Sequence, residues 1–459
     1  MCWKKGWRIC ADSARYSAAR LVPSVFTAQG PDHSSADPHG RYPRVPSLQL
    51  NNFARRCAAL LALYIPSFCY AVEFSGLLDI RAVAAGGDRS WTRSGLDKSQ
   101  YDDRNDGLRL GQGIFAVESE LSHAISGSLV LSANDDRSTV VDLQEAWLGW
   151  NPLPFGHWKM RAKVGAFFPT RMNLEVDYDR LTWTPTRTLS ASAVNSWVGE
   201  ELRTQGLELI FKRLGRVDGS LHDFAVTGAV FAGNDPAGTL LAWRGWSISD
   251  RITGLTESIL LADLPLYRAN GALPKQSRDI HPFREIDGRP GYYVGGSYEY
   301  AGRFEISTMH YDNRGDPLIL DHGQYSWATK FNHVGMRLKP AGEWEFLAQA
   351  MRGSTEMGPS VVNVNYAAWY LLASHPLGAG RLTVRFDQFW TSGKDIFPSD
   401  PNDESGHAVA VAYAYSLSKS LSLITELLAV RSSRSARMLI GDTTKQSENS
   451  LRTALQLRF

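Results

Sequence analysis

The chain has 459 residues, of which 43% are hydrophobic, 11% aromatic and 21% charged, and its formal net charge is +2. This composition excludes global disorder, and the lack of any run of 18 consecutive apolar residues excludes a protein that crosses a membrane with helices. The length suits either two or three soluble domains or one large β-barrel.

The N-terminal region differs from the rest of the chain, because all four cysteines lie within the first 70 residues. Arg55 and Arg56 precede a short apolar run, which ends in the small-x-small triplet Cys69–Ala71. This order predicts a signal peptide over residues 51–71, cleaved after Ala71; a short buried helix is the alternative. Residues 1–50 are rich in Ser, Pro and Arg without a hydrophobic pattern, which indicates either a non-native stretch upstream of the true translation start or a disordered extension.

The positive charge belongs to this leader. Residues 1–71 hold 9 Lys and Arg against 3 Asp and Glu, so residues 72–459 have a net charge of −4. The basicity is therefore no evidence for nucleic-acid binding, and no nucleic-acid partner is predicted.

Residues 72–459 alternate apolar with polar or small residues, which is the period of a sheet with two different faces. In the last segment Leu451, Leu455 and Phe459 share one face, while Arg452 and Arg458 share the other. Sixteen such segments follow in chain order, and 14 to 18 strands fit the pattern: 72–84, 107–121, 124–134, 139–151, 157–168, 202–213, 221–232, 291–300, 303–312, 324–338, 343–353, 362–374, 380–391, 406–416, 419–432 and 447–459.

The connections supply an independent criterion for the fold. Those after odd-numbered segments are mostly long, those after even-numbered segments are short, and 135–138 is the one short exception. Long loops on one rim and tight turns on the other are typical of a transmembrane antiparallel β-barrel, with the long loops extracellular and the turns periplasmic. Closure also keeps every strand edge away from lipid, as a membrane requires. A soluble β-sandwich array is the alternative.

Three stretches resemble the outer-membrane porin superfamily that includes the phosphate-selective porins. They are Val117-Glu-Ser-Glu with Gly127-Ser-Leu-Val-Leu, then residues 141–150, then residues 163–175 with the sequence KVGAFFPTRMNLE. Residues 311–317 and the closing segment 451–459 are also similar to porin-like proteins. The resemblance implies a porin-type channel of about sixteen strands, a homotrimer, and recognition by the barrel-assembly machinery through Phe459. No basic run matches a phosphate-guiding loop, so phosphate selectivity stays open.

A barrel of this size has a lumen wide enough for water, so its inward residues determine function. The alternation predicts a set of inward basic residues, of which Lys159, Arg161 and Lys163 form one cationic ladder. Such a ladder favours anions, whereas a generally polar lumen with paired charges is the other interpretation. The pore-lining candidates are Arg81, Lys159, Arg161, Lys163, Arg303, Arg381, Arg385 and Arg452.

Two long loops are too apolar to extend freely into water. Residues 169–201 contain the segment Ser190–Glu201, which predicts a short helix starting at a serine cap, and residues 233–290 contain the apolar segment Thr239–Asp250. We expect both loops to fold into the lumen or over its mouth rather than to form an extracellular cap.

The sequence therefore predicts an outer-membrane channel in a Gram-negative bacterium, surrounded by lipid and lipopolysaccharide, that passes small hydrophilic solutes with a preference for anions. One alternative is a non-conducting structural or adhesive barrel, and a weaker one is an outer-membrane enzyme. No catalytic constellation is recognisable, and no cofactor is implied. Residues 102–107 resemble a calcium loop, but Arg104 occupies a ligand position, so no metal site is predicted.

Overall fold

The computed structural model describes residues 72–358, 361–394 and 400–459. The predicted extension, residues 1–50, and the predicted signal peptide, residues 51–71, lie outside the described residues. Among the residues that are described, no helix is long and apolar enough to cross a membrane.

Sixteen antiparallel strands form a closed barrel, in which each strand pairs with its neighbours in the chain and the last pairs with the first. This confirms the predicted fold. In chain order the strands are β1 Val72–Gly86, β2 Gly107–Glu120, β3 Ile125–Ala133, β4 Val141–Trp150, β5 Trp158–Phe167, β6 Thr204–Arg213, β7 His222–Ala232, β8 Gly291–Tyr300, β9 Phe304–Asp312, β10 Ala328–Leu338, β11 Glu345–Met357, β12 Val362–Leu377, β13 Gly380–Gly393, β14 Glu404–Ser416, β15 Leu421–Arg434 and β16 Lys445–Arg458.

The two rims differ as predicted. The long-loop rim carries the connections after odd-numbered strands, including 87–106, 168–203 and 233–290, and the short-turn rim carries the brief ones, such as 301–303 and 378–379. Two connections on the long-loop rim are short. One joins β3 to β4, and the other joins β11 to β12, because β11 continues to Met357, beyond its predicted end.

The remaining elements lie in the loops. Helix α1 spans Ala193–Glu201 and helix α2 spans Thr239–Trp243. Short 3-10 turns occupy Trp91–Arg93, Gly215–Asp218, Pro265–Tyr267 and Ser435–Ile440. Two ribbons pair Ile259–Leu260 with Asp279–Ile280 and Leu320–Asp321 with Gln324–Tyr325. Residues 324–325, predicted as the start of the tenth strand, therefore belong to a loop ribbon, and β10 begins at Ala328.

The alternation of side chains separates an apolar outer face from a polar inner face. On β16, Leu451, Leu455 and Leu457 are 40–44% exposed, whereas Arg452 and Ala454 are fully buried. Phe168 departs from the pattern predicted for its segment, because β5 ends at Phe167 and the chain then turns into the lumen. There Phe168 stacks on Trp183 with ring centroids 4.7 Å apart.

The lumen is filled largely by two loops, which we name the first inserted loop (residues 168–203) and the second inserted loop (residues 233–290). Every residue of α1 is buried. Its Trp197 packs edge-on against Phe331 and Tyr366 of the wall and against Trp246 of the second inserted loop. The prediction that both loops fold inward is confirmed, and the reason is the burial of their apolar side chains.

Candidate functional site in the barrel lumen

The predicted pore-lining residues occupy three environments. Arg81, Arg385 and Arg452 are fully buried, and Lys163 is 4% exposed. Arg303 is exposed in the turn before β9 rather than on the strand. The half-buried members of the set are Lys159, Arg161 and Arg381. The structure does not bring the eight together, and three of the four buried residues contact carboxylates.

Arg81 joins β1 to the second inserted loop. Its guanidinium lies 2.7 Å from a carboxylate oxygen of Asp79 on the same strand and 2.8 Å from one of Asp250 in the loop. All three side chains are buried, so the ion pair is shielded from water and holds the loop to the wall.

Arg385 of β13 makes the densest set of contacts with the first inserted loop. Its guanidinium donates to Asp387 at 2.8 Å and to Glu175 of the loop at 2.7 Å. It also donates to Thr188 Oγ1 at 3.0 Å and to the carbonyl of Ala191 at 2.9 Å. The five donors of a guanidinium form a rigid fork, which here fixes the path of residues 188–191 against the wall.

Carboxylates of the wall accept hydrogen bonds from backbone N–H groups just before and at the start of α1. Glu426 of β15 accepts from Leu189 at 2.8 Å, and Asp387 accepts from Ala193 at 3.1 Å. Ser192 caps the start of the helix, because its Oγ accepts a hydrogen bond from the N–H of Asn195. Negative charge at a helix N-terminus is favourable, because the first N–H groups have no partner within the helix. Arg452 lies 3.9 Å from Glu426.

Gln349 of β11 is a wall contact of the first inserted loop that the sequence pattern did not single out. Its Oε1 accepts from Asn195 at 2.8 Å and from Tyr370 at 2.6 Å, and its Nε2 donates to the carbonyl of Met172. In the sequence, an inward amide on a strand indicates only ordinary lumen polarity. The contact between Gln349 and the first inserted loop becomes visible only in the folded structure.

A second buried cluster was also missed. Lys98 lies 2.6 Å from Glu404, which in turn lies 3.1 Å from Arg434 and accepts the N–H of Trp246. Burial and the two cations Arg434 and Arg437 lower the pKa of Lys98 to about 7, although Glu404 opposes this shift. Lys98 and Glu404 both fell in predicted loops, where charged residues are expected to face solvent, so no local pattern indicated the pair.

The cationic ladder on β5 differs from the buried arginines. Within the described residues, Lys159, Arg161 and Lys163 have no carboxylate within 4.0 Å. Lys163 instead donates to the hydroxyl of Tyr178 at 3.1 Å and lies 4.6 Å from the ring centroid of Trp147. Its charge is therefore held by hydrogen-bonding and cation–π contacts and is not neutralised by an ion pair.

A cavity of about 420 Å³ lies beside the ladder, and Tyr178 borders both. Glu305 and Arg337 line it from the ends of β9 and β10 that adjoin the short turns, which places the cavity at the short-turn rim. The first inserted loop also lines the cavity, with residues that include Asp177 and Arg180. The volume suits a small solute, and the lining offers both signs of charge.

Three carboxylates cluster in the second inserted loop, with ligand atoms of Asp235, Glu285 and Asp287 within 4.8 Å of one another. Burial and the neighbouring Glu285 raise the pKa of Asp235 to about 7. Asp235 accepts from the N–H of Asp287 at 3.0 Å, and Glu285 accepts from the N–H of Gly233. These backbone contacts account for the cluster as a feature of the loop's own folding.

Comparison with known proteins adds information on the fold. No family model matches the chain, and no curated protein matches its sequence. The outer membrane channel DcaP of Acinetobacter baumannii matches with a TM-score of 0.50 at 12% identity, over 86% of this chain and 99% of that chain. An anion-selective porin from Comamonas acidovorans matches with a TM-score of 0.48 at 12% identity, over 85% and 100%. OprB of Pseudomonas putida matches with a TM-score of 0.45 at 12% identity, over 89% and 97%. The likeness to DcaP shows a shared β-barrel fold.

Proposed function

We propose that the protein is a porin-type channel of a Gram-negative outer membrane, which passes small hydrophilic solutes by diffusion. The observation that carries the proposal is the closed sixteen-stranded barrel with apolar side chains outside and charged ones inside. Such a barrel has no free strand edges, and its apolar outer face suits lipid. Its interior is wide enough to hold the loops and an aqueous path beside them.

The inserted loops make this a narrow channel rather than a wide general pore. Glu175 and Asp250 hold the two loops to the wall through Arg385 on β13 and Arg81 on β1. Passage is then limited to solutes that fit the space left beside the loops, of which the cavity at the short-turn rim is one example.

An anion preference is the finer part of the proposal. The ladder of Lys159, Arg161 and Lys163 has no ion-pair partner in the described part of the chain, so its charge attracts anions. Arg81 and Arg385 contribute little, because buried carboxylates neutralise them. Phosphate is the anion to test first, given the resemblance of residues 163–175 to phosphate-selective porins.

Planar-bilayer recording of the purified protein tests the proposal. We expect small discrete current steps, and in a salt gradient a reversal potential of the sign that anion flow produces. The triple variant K159Q/R161Q/K163Q should move that potential toward zero. The matched control R104Q/R216Q/K419Q removes three exposed cations outside the lumen and should leave the potential unchanged. A cation-type reversal potential would refute the anion preference.

A non-conducting structural barrel is the second candidate, and the packing of Trp197 and Trp246 across the lumen favours it. It predicts no current from the wild type, and current only from a variant whose loop is released, such as Arg385→Gln. Current from the wild type would exclude it. Neither candidate requires a catalytic residue, and we propose no enzymatic activity.

Targeting and assembly form a further part of the proposal. The signal peptide over residues 51–71 predicts a mature protein that begins at Val72, which N-terminal sequencing of the exported form tests. Phe459 is proposed as the residue that the barrel-assembly machinery recognises. The homotrimer is tested by light scattering of the detergent-solubilised protein, where a monomer mass would contradict it.

A further inference from the structure

The outer face of the barrel carries a polar patch at the long-loop side of three neighbouring strands. We name it the outer patch: His310 on β9, Lys330 and Asn332 on β10, and Arg352 on β11. Each member points outward, since its chain neighbours, such as Phe331 and Met351, are buried in the lumen. Lys330, Asn332 and Arg352 are exposed, and His310 is half-buried.

The strand register brings the four side chains together. Asn332 lies directly opposite His310 on one side and Arg352 on the other. Lys330 lies two residues along β10 on the same face, so it is diagonal to Arg352. Side chains at such positions are about 5–8 Å apart at Cβ. His310 Nδ1 and Asn332 Oδ1 are 3.0 Å apart, which ties the row into one surface.

The charges of the outer patch are not neutralised by ion pairs. Neither Lys330 nor Arg352 has a carboxylate within 4.0 Å among the described residues. Asp312 faces Lys330 across the strands, and its carboxylate accepts the N–H of Arg314. Inside the barrel Arg81 and Arg385 contact acids, whereas Lys330 and Arg352 of the outer patch have no such contact with any residue that the structure describes and are open to an external anion.

The surroundings of the patch indicate what kind of anion fits. Toward the short-turn rim, β10 continues on the same face with Val334 and Met336, which are 41% and 37% exposed, and nearby Val294 of β8 is 49% exposed. An apolar strip therefore runs directly into the cationic group. A ligand with acyl chains and a phosphorylated headgroup matches both parts, whereas a free phosphate matches only the second.

We propose that the outer patch binds a phosphate group of the glycolipid of the outer leaflet, lipid A, whose acyl chains lie along Val334 and Met336. This inference rests on the proposed outer-membrane location, and it deepens that proposal by naming a lipid partner and its contact residues. Lys330 and Arg352 supply the charge, while Asn332 and His310 supply hydrogen bonds at the same level.

The test compares wild type with K330Q/R352Q in detergent, using native mass spectrometry to measure bound diphosphoryl lipid A. We expect at least a tenfold loss of binding in the variant. The matched control R216Q/K419Q removes two exposed cations at the short-turn rim and should bind as wild type does. Dephosphorylated lipid A should bind wild type weakly, and millimolar inorganic phosphate should not displace lipid A. Equal binding by wild type and K330Q/R352Q overturns the proposal.

Two further measurements distinguish lipid binding from misfolding and from contact with a second copy of the chain. The conservative variant K330R/R352K keeps the charge and should retain lipid A, and loss of binding in this variant as well would refute a role for the charge. If K330Q/R352Q changes the mass of the oligomer but binds lipid A as wild type does, the outer patch is a contact with a second copy of the chain. That outcome would refute lipid binding at the patch. Lipid A binding without any bilayer current would refute the channel and leave this inference standing.

Discussion

Replacing Arg385 by Gln should release the first inserted loop from the barrel wall. The guanidinium is fully buried and pairs with Asp387 and with Glu175, so the substitution leaves two buried carboxylates without their cation. Breaking a buried ion pair costs about 3–5 kcal/mol. Because each 1.36 kcal/mol is a factor of ten, the ratio of docked to released loop should fall by roughly 10²- to 10⁴-fold.

Single-channel conductance in planar bilayers measures this release. We expect larger or longer current steps from Arg385→Gln, since a released loop leaves the lumen. Arg381→Gln is the matched control, because Arg381 lies on the same face of β13 and donates only to Ser374 in the described part of the chain. Glu175→Gln removes the same contact from the loop side and should also raise conductance. If Arg385→Gln folds normally, as judged by heat-modifiable gel mobility, and conducts as Arg381→Gln does, the reasoning is wrong.

Three further outcomes are expected. Burial raises the pKa of Glu201 to about 7, so the docked helix retains a proton that the released one loses above about pH 4.5. Docking of the first inserted loop therefore weakens as pH rises from about 4.5 to 7. The conductance should be higher at pH 8 than at pH 5, and Glu201→Gln should flatten this pH dependence. A Cβ on Gly76 would clash with the ring of Phe459 and lie 2.6 Å from the backbone oxygen of Ile114, so Gly76→Ala should destabilise the barrel by about 1–3 kcal/mol in urea unfolding. Gly228→Ala, whose Cβ would meet nothing within 4 Å, should not. Deleting Phe459 should lower the heat-modifiable fraction of the protein in cell membranes; an unchanged fraction would contradict its role in assembly.

The strands could be predicted from the sequence because their signal is local. A side chain every second residue faces lipid or lumen, so Leu451 to Phe459 reveal their own faces without reference to any other part of the chain. The start of β10 was predicted too early because residues 324–325 are also extended, but in a ribbon with Leu320–Asp321. Local pattern does not distinguish a barrel strand from a loop strand.

The partners of the lumen charges could not be predicted, because they depend on contacts between distant residues. Arg81 pairs with Asp250 at a separation of 169 residues, and Arg385 pairs with Glu175 at a separation of 210. Inward basic residues were identifiable from the alternation, but whether each one faces water or a loop carboxylate depends on where two long loops fold. The apolar content of those loops indicated insertion, and their register against the wall became visible only in three dimensions.

The first inserted loop lies far along the sequence from the wall residues that hold it, and this has a consequence for the order of assembly. Residues 168–203 precede β13 and β15 in the chain, yet Arg385 and Glu426 of those strands hold the loop in place. The loop can dock only when the late strands have joined the wall, and until then Trp183 and Trp197 remain without their buried surroundings. Docking of the loop should therefore be one of the last folding events, and burial of these tryptophans, seen as a fluorescence change, should report on the closing of the barrel.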